Sequence, residues 1–330
     1  MLATENIEKR TTIIIAAFLC IFISNALAVG CKSSSSPKEQ NSKVRQLLKT
    51  LPSVTVTVLV ENMAGEPPLL GEWGVSFWIE SNEHHILYDT GYGHSLLHNV
   101  KALNIDLSQT DAIVLSHGHD DHTGGLKKAL EFCGKVDLYA HPAAFHPKYW
   151  RENSQALKVG IPMTVLEIRE MTHDLIETEE PTLIYDSFMV TGQIPRRNDF
   201  EDTGVDGYAY LDKKFQTPDP LIDDQALFFR VPEGIVVLLG CGHAGVVNTM
   251  EYVYKLTGER HIYMLIGGTH LVSASPERIQ KTIQAFKDCD VQKIMLMHCT
   301  GLDAYIEISN SFPGRCSWPN TGTKIKFGNR

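Results

Sequence analysis

Basic residues are scarce and scattered in this chain. Lys and Arg number 30 against 39 Asp and Glu, for a formal net charge of −9. No basic block marks a nucleic-acid surface, so nucleic acid is excluded as the main partner. Cysteine is also sparse, with 7 in 330 residues, too few for a disulfide scaffold. Long apolar runs are absent except for one near the N-terminus, at residues 13–29. Charged residues at 21% and hydrophobic residues at 43% sit near globular averages and exclude a disordered or fibrous chain. Histidine, by contrast, occurs 14 times, and its placement carries most of the functional information.

The apolar run has its strongest core at residues 13–23. That is short for a bilayer span of ~20 residues and suits a signal-peptide core. Ala28-Val29-Gly30-Cys31 resembles a bacterial lipobox, in which the cysteine becomes N-terminal and lipidated. Lys32, the serines at 33–36 and Pro37 then read as a flexible tether. The expected organisation is a signal peptide over 1–30, a lipidated Cys31 with tether over 31–50, and a folded domain over 51–330. This implies an exported, membrane-tethered lipoprotein, with an uncleaved anchor as the alternative. Export leaves Cys133, Cys241, Cys289, Cys299 and Cys316 as an odd set of five thiols, at least one of them unpaired.

Periodicity predicts strands over 54–60, 75–80, 85–89, 111–115 and 136–140 in the first half. Helices are expected over 94–103 and from 124. The second half predicts strands over 183–191, 225–231, 235–239, 262–266 and 293–297, with helices over 246–256, 276–287 and 302–308. Strands alternating with helices, with a hairpin opening each half, indicate a layered α/β domain. Residues 141–222, rich in Pro, Asp and Glu, read as a loop-rich insertion over the active site.

The apolar strand at 111–115 ends in Ser116-His117-Gly118-His119-Asp120-Asp121-His122-Thr123-Gly124-Gly125. Three imidazoles and two carboxylates within six residues are donors that zinc, iron and manganese prefer. Gly118 would let the chain turn tightly between His117 and His119. His117-Gly-His119-Asp-Asp121-His122 is similar to the His-x-His-x-Asp-His signature of the metallo-β-lactamase fold superfamily, and the Asp89 of Tyr88-Asp89-Thr90-Gly91 fits the Asp that the family places after an earlier strand. The resemblance covers about residues 52–310. It implies a four-layer αββα sandwich, one or two zinc ions (or iron or manganese) at the sheet edges, and a hydrolase. His117, His119, Asp121 and His122 are the expected ligands, with His119 and Asp121 also catalytic.

Further ligands are expected where later strands end. His243 and His298 are metal candidates, and His270 is a metal or substrate contact. Where dinuclear members carry a bridging Asp, this chain has Gly240-Cys241-Gly242. Three substitutes are open: His243, a Cys241 thiolate, or Asp223 or Asp224 reaching in. The stretches GCGHAGVVN, GGTH and HCTG resemble the branch named after 7,8-dihydropterin-6-methyl-4-(ribofuranosyl)aminobenzene-phosphate synthase. Asp89 is expected to orient a ligand histidine.

Divalent metal lowers the pKa of bound water to about 7, so the expected reaction is attack of metal-bound hydroxide on a small substrate. Arg196-Arg197 in a turn-rich loop, and Thr300 before a helix start, point to an anionic ester such as a phosphoester. Alternatives are a lactone or amide hydrolase, the branch's pterin-related transfer, or a non-catalytic metal-binding surface protein. A β-lactamase proper fits poorly with the long 141–222 segment and the Gly-Cys-Gly-His stretch.

Overall fold

Strands whose side chains alternate between two apolar faces must be covered on both sides. Two seven-stranded sheets packed face to face, with helices on their outer faces, meet that demand here. The structure, a computed structural model, describes residues 48–328. The expected signal segment, Cys31 and most of the tether lie outside the described residues.

The strands in chain order are β1 (Ser53–Val60), β2 (Ser76–Ser81), β3 (His85–Tyr88), β4 (Ala112–Val114), β5 (Asp137–Ala140), β6 (Tyr149–Glu152), β7 (Gln155–Lys158), β8 (Leu175–Glu177) and β9 (Thr182–Ile184). They continue as β10 (Phe188–Val190), β11 (Ala209–Tyr210), β12 (Leu227–Val231), β13 (Gly234–Leu239), β14 (Ile262–Gly267), β15 (Lys293–Leu296), β16 (Cys316–Ser317) and β17 (Lys324–Gly328). One sheet runs β17-β1-β2-β3-β4-β5-β8 and the other β16-β15-β14-β13-β12-β10-β9, while β11-β6-β7 form a small separate sheet. The helices are α1 (Leu96–Ala102), α2 (Asp120–Thr123), α3 (Leu126–Cys133), α4 (Val165–Met171), α5 (Val246–Thr257), α6 (Pro276–Asp288) and α7 (Leu302–Ser311).

Alternation assigns each strand residue to a core. Ile86 and Tyr88 point between the sheets, where they meet Phe188, Phe229, Val236 and Leu238. Leu87 points outward to pack with Leu96, Leu126 and Leu130 of α1 and α3. On the second sheet, Phe228, Val237 and Leu239 face outward against Val246, Met250, Ile283 and Phe286 of α5 and α6. Helix, sheet, sheet and helix make the αββα sandwich.

Three expectations change. The strand over 183–191 is a hairpin, because Tyr185 and Asp186 at φ 49° and 59° turn β9 back onto β10 with Ile184 opposite Phe188. The 141–222 segment carries short elements among its loops. It contributes β8 to one sheet and β9 and β10 to the other, and it holds α4, where Thr164 and Glu167 form a reciprocal cap. Three-residue strands give too short an alternation to separate from loop. Finally, β17 was not anticipated. Its Lys324-Ile325-Lys326-Phe327 alternation pairs antiparallel with β1 and buries Phe327, with lysines on the exposed edge.

Candidate metal centre

Strand ends build the site. Parallel strands β3 and β4 deliver Asp89 and then Ser116-His117. In the other sheet the parallel strands β13, β14 and β15 deliver Cys241, His270 and His298. Gly240 is required because a Cβ there would lie 2.0 Å from Ser116 Oγ, so the two sheets close on each other at this point. Gly118 serves similarly: it packs against the Ala144 carbonyl at 2.1 Å from a would-be Cβ, with no positive φ. Close approach, rather than the expected tight turn, explains it.

Hydrogen bonds set the tautomers of four imidazoles. His122 Nδ1 donates to Asp89 Oδ2 at 2.7 Å, and His243 Nδ1 donates to the Thr203 carbonyl at 2.7 Å. His298 Nδ1 faces Asn62 Oδ1 at 3.1 Å. His117 Nδ1 lies 2.9 Å from Ser116 Oγ, which donates to Asp89 Oδ2 at 2.6 Å. Each of the four therefore presents Nε2 inward as a lone pair. His117 Nε2 and His119 Nδ1 are 3.0 Å apart. Two nitrogens on one tetrahedral zinc, at ~2.0–2.1 Å each, would be about 3.3 Å apart.

These donors form overlapping groups whose ligand atoms lie within 4.8 Å of one another: Asp121, His122, Cys241 and His298; His117, Cys241 and His243; and His117, His119 and Asp121. Cys241 belongs to two of them, with its Sγ 3.1 Å from His122 Nε2. His298 Nε2 is 3.2 Å from Asp121 Oδ2. The Nε2 atom of His243 is buried with no hydrogen-bond partner, and the buried Nε2 of His298 meets the Asp121 carboxylate. A buried polar atom left unpartnered is costly unless another group completes it. Soft sulfur, imidazole and carboxylate together fit a divalent ion of the zinc type.

Of the open substitutes for the bridging Asp, the structure places Cys241 centrally. Asp223 is turned away, accepting the Gly118 N–H at 2.8 Å and the buried Lys148 ammonium at 3.0 Å. Asp224 accepts the Ala244 N–H at 2.8 Å and joins no metal-competent group.

Residues 74–252 match the metallo-beta-lactamase superfamily. The chain belongs to that superfamily. It is 31% identical over 285 residues to a 7,8-dihydropterin-6-methyl-4-(beta-D-ribofuranosyl)-aminobenzene-5'-phosphate synthase of Methanocaldococcus jannaschii, covering 83% of this chain and 97% of that protein. An uncharacterised protein of the same archaeon is 34% identical over 258 residues, covering 77% and 93%. Among solved structures, Tm1679, a metal-dependent hydrolase of the β-lactamase superfamily, superposes with a TM-score of 0.71 at 26% identity, covering 84% of this chain and all of that one.

Electrostatics suit a bound cation. Burial holds His117 and His243 well below the ordinary histidine range and His119 down at about 4, so all three favour the neutral form that can ligate a cation. Burial alone would raise Asp121, but His122, His298 and His119 hold it below the usual carboxylate range. Burial pushes the Cys241 thiol well up, so a bound cation would be needed to hold it as thiolate.

Above these residues is a cavity of about 340 Å³, lined by His119, Asp120, Asp121, Cys241, His243, His270, His298 and Cys299, with Trp73, Tyr92, Trp150, Val159, Val205 and Val272 forming its outer walls. His270 is in the wall but in no metal-competent group; its Nδ1 is unpartnered and burial lowers it to about 3.

The expected anion grip is elsewhere. Arg196 donates to the Leu221 carbonyl at 3.1 Å. Arg197 lines a separate surface groove with Tyr252 and Lys255. Thr300 is buried, with its Oγ1 3.0 Å from Thr269 Oγ1. A turn-rich loop after a strand located these residues in the chain but could not say which side of the sheet they would reach.

Sequence reasoning missed the residues that hold the ligands. Glu61 accepts the His298 N–H at 2.9 Å, and Asn62 and the Thr203 carbonyl fix two imidazoles. None carries a local signal, because each lies 40 or more residues from the histidine it positions. Ser116, adjacent to the motif, was legible as part of it.

Proposed function

We propose that the protein is a metal-dependent hydrolase of a small ester, with a pair of divalent ions held by its clustered donors. His117, His119 and His243 would surround one ion, and Asp121, His122 and His298 the other. Cys241 would contribute its sulfur to both donor groups, in the place of the usual bridging carboxylate, and Asp89 would orient His122 directly and His117 through Ser116. The observation that carries this reading is the convergence of buried imidazoles, Asp121 and Cys241 on overlapping metal-competent groups, with the buried Nε2 of His243 left unpartnered.

When bound, the ions supply water activation at neutral pH and polarisation of the ester oxygen. The protein's own part is geometric and electrostatic. Asp121, kept ionised, can orient the attacking water by accepting its hydrogen bond. His270 and the cavity walls bound the space for the ester and limit competing solvent. A phosphoester remains the first choice, with a lactone or amide second. The anion attraction must come from the ions themselves, since Arg196, Arg197 and Thr300 do not line the cavity.

The test is metal content together with turnover of a chromogenic phosphodiester. Purified protein should carry zinc, iron or manganese, and His119→Ala should abolish hydrolysis. Activity that survives exhaustive chelation overturns the reading. A second reading, the reaction named for the Methanocaldococcus relative, is favoured by the match across 97% of that protein. Formation of that relative's named product would establish it. We also propose that residues 1–30 direct export and that Cys31 carries lipid, on the strength of the apolar core and the Ala-Val-Gly-Cys sequence.

A further inference from the structure

The reaction as proposed leaves three aromatic residues at the cavity mouth without a role. Trp73, in the loop before β2, lies 4.8 Å from the His298 ring at a 54° tilt and is 54% exposed. Tyr92 is 42% exposed. Trp150 stands on β6 in the small inserted sheet and stacks on Tyr208, with ring centres 5.3 Å apart and planes 15° from parallel.

The inserted sheet is tied to the metal-binding loop. Gly160, just beyond β7, bridges to His119, and the Asp120 N–H donates to the Val159 carbonyl at 2.8 Å. Trp150 is paired with Leu157 of β7, so its ring plane is fixed on one side by Tyr208 and its position is fixed relative to His119. A rigid, flat, partly open ring beside a reaction centre favours another flat ring, through offset stacking and edge contacts that a flexible chain cannot match.

Charge narrows the choice. No Lys or Arg is among the cavity residues, while Asp120 and Asp121 are. Of two buried cations outside that lining, Lys148 is paired with Asp219 and Asp223, and Arg278 meets Asp202 through Nη1 while its Nε and Nη2 have no partner. An anionic group on the far part of the substrate would meet two carboxylates and no Lys or Arg among the cavity-lining residues. About 340 Å³ is at the low end for small-molecule sites, enough for one ring beyond the reacting group.

Resting on the hydrolase reading above, we propose that the ester's non-reacting part is an aromatic ring without negative charge that seats against Trp150, and that Trp150 determines specificity. Val159 and Val205 beside it complete an apolar floor.

The test measures binding as well as turnover, so the two proposals fail separately. Phenylphosphonate and methylphosphonate are titrated calorimetrically into the full-length, metal-loaded protein; neither is hydrolysed, and they differ only in the ring. Phenylphosphonate should bind at least about tenfold tighter, a difference of the size stacking supplies. Trp150→Ala should bring the ratio to within about threefold while leaving methylphosphonate affinity unchanged, whereas Trp150→Phe, which keeps a ring, should retain most of the preference. Circular dichroism checks that both variants fold. Equal binding of the two ligands, binding of neither, or a preference that persists in Trp150→Ala overturns the proposal. Better binding of butylphosphonate than phenylphosphonate overturns it in favour of an alkyl substrate. Ring selectivity without hydrolysis would instead defeat only the hydrolase reading.

Discussion

Three residues of the site adopt the left-handed backbone that non-glycine residues avoid: Asp89 at φ 56°, His270 at 45° and His298 at 53°. Each such residue costs on the order of 1–3 kcal/mol and survives because its surroundings hold it. Asp89 shows how. Its carboxylate accepts the Ser116 N–H at 2.7 Å, the Ser116 hydroxyl and the His122 ring, so one side chain aims two histidines. Asp89→Ala is therefore expected to weaken metal binding by roughly 10–100-fold, the usual cost of losing a partner that orients a ligand. Competition with a calibrated chelator measures it, and unchanged affinity would remove Asp89 from that role. Cys241→Ala should lower the bound metal per chain, read by elemental mass spectrometry; undiminished content would show that the sulfur is not a ligand. Arg197→Ala should leave KM within about twofold, because its side chain lines another groove. A KM rise with kcat preserved, the mark of lost uniform binding, would return the arginine to the substrate.

Elements carry the next layer of the argument. The buried Lys148 ammonium bonds Asp219 at 2.8 Å and Asp223 at 3.0 Å, and Asp223 also holds the Gly118 N–H between the first two histidines. The triad thus locks the 219–223 segment and the chain just before β6 onto the metal-binding loop. Lys148→Met leaves two buried carboxylates unpaired, a change expected to cost about 3–5 kcal/mol. Urea unfolding reads it, and a loss below about 1 kcal/mol would show that water reaches the triad. Between the sheets, Phe229 meets Phe188 edge-on at 5.5 Å and is fully buried. Phe229→Ala should cost about 3–5 kcal/mol without touching a ligand, so metal content at low temperature should persist. If metal is lost while the fold remains, the sheet core controls the site more directly than strand-end placement implies.

At the scale of the whole molecule, donors from both sheets converge on one centre. Any ion bound there joins β4 and its following loop to β13 and β15, and stabilises the fold by mass action, by about 4 kcal/mol when free metal exceeds Kd a thousandfold. Chelation should therefore lower Tm by several degrees and readdition of zinc should restore it; an unchanged Tm in verified apo-protein would mean the ligand set does not couple the sheets. Localisation is a separate prediction. Cys31→Ser should block processing or release the protein from membranes, since firm anchoring needs more than one acyl chain. An intact mass that retains residues 1–30 on the wild-type protein would favour an uncleaved anchor. No helix among the described residues is long and apolar enough to cross a membrane.

The sequence alone determined what is local. Two-residue alternation and 3.6-residue spacing located most strands and helices, because those periods follow from backbone geometry. The His117–His122 cluster was legible because its donors lie within one loop, and strand-end position was enough to single out His243, His270 and His298. Tertiary structure decided what depends on long-range closure. That Cys241, and not Asp223 or Asp224, joins the metal-competent groups turned on the approach of β13 to β4, where Gly240 meets Ser116. Arg196 and Arg197 left the site because the fold sends their loop toward α5. Trp150 came to the cavity on a short strand, held there by the bridge between Gly160 and His119 and the hydrogen bond from Asp120 to Val159. A local pattern records which face of its own element a residue occupies. Which other element that face will meet is fixed only when the two sheets pack.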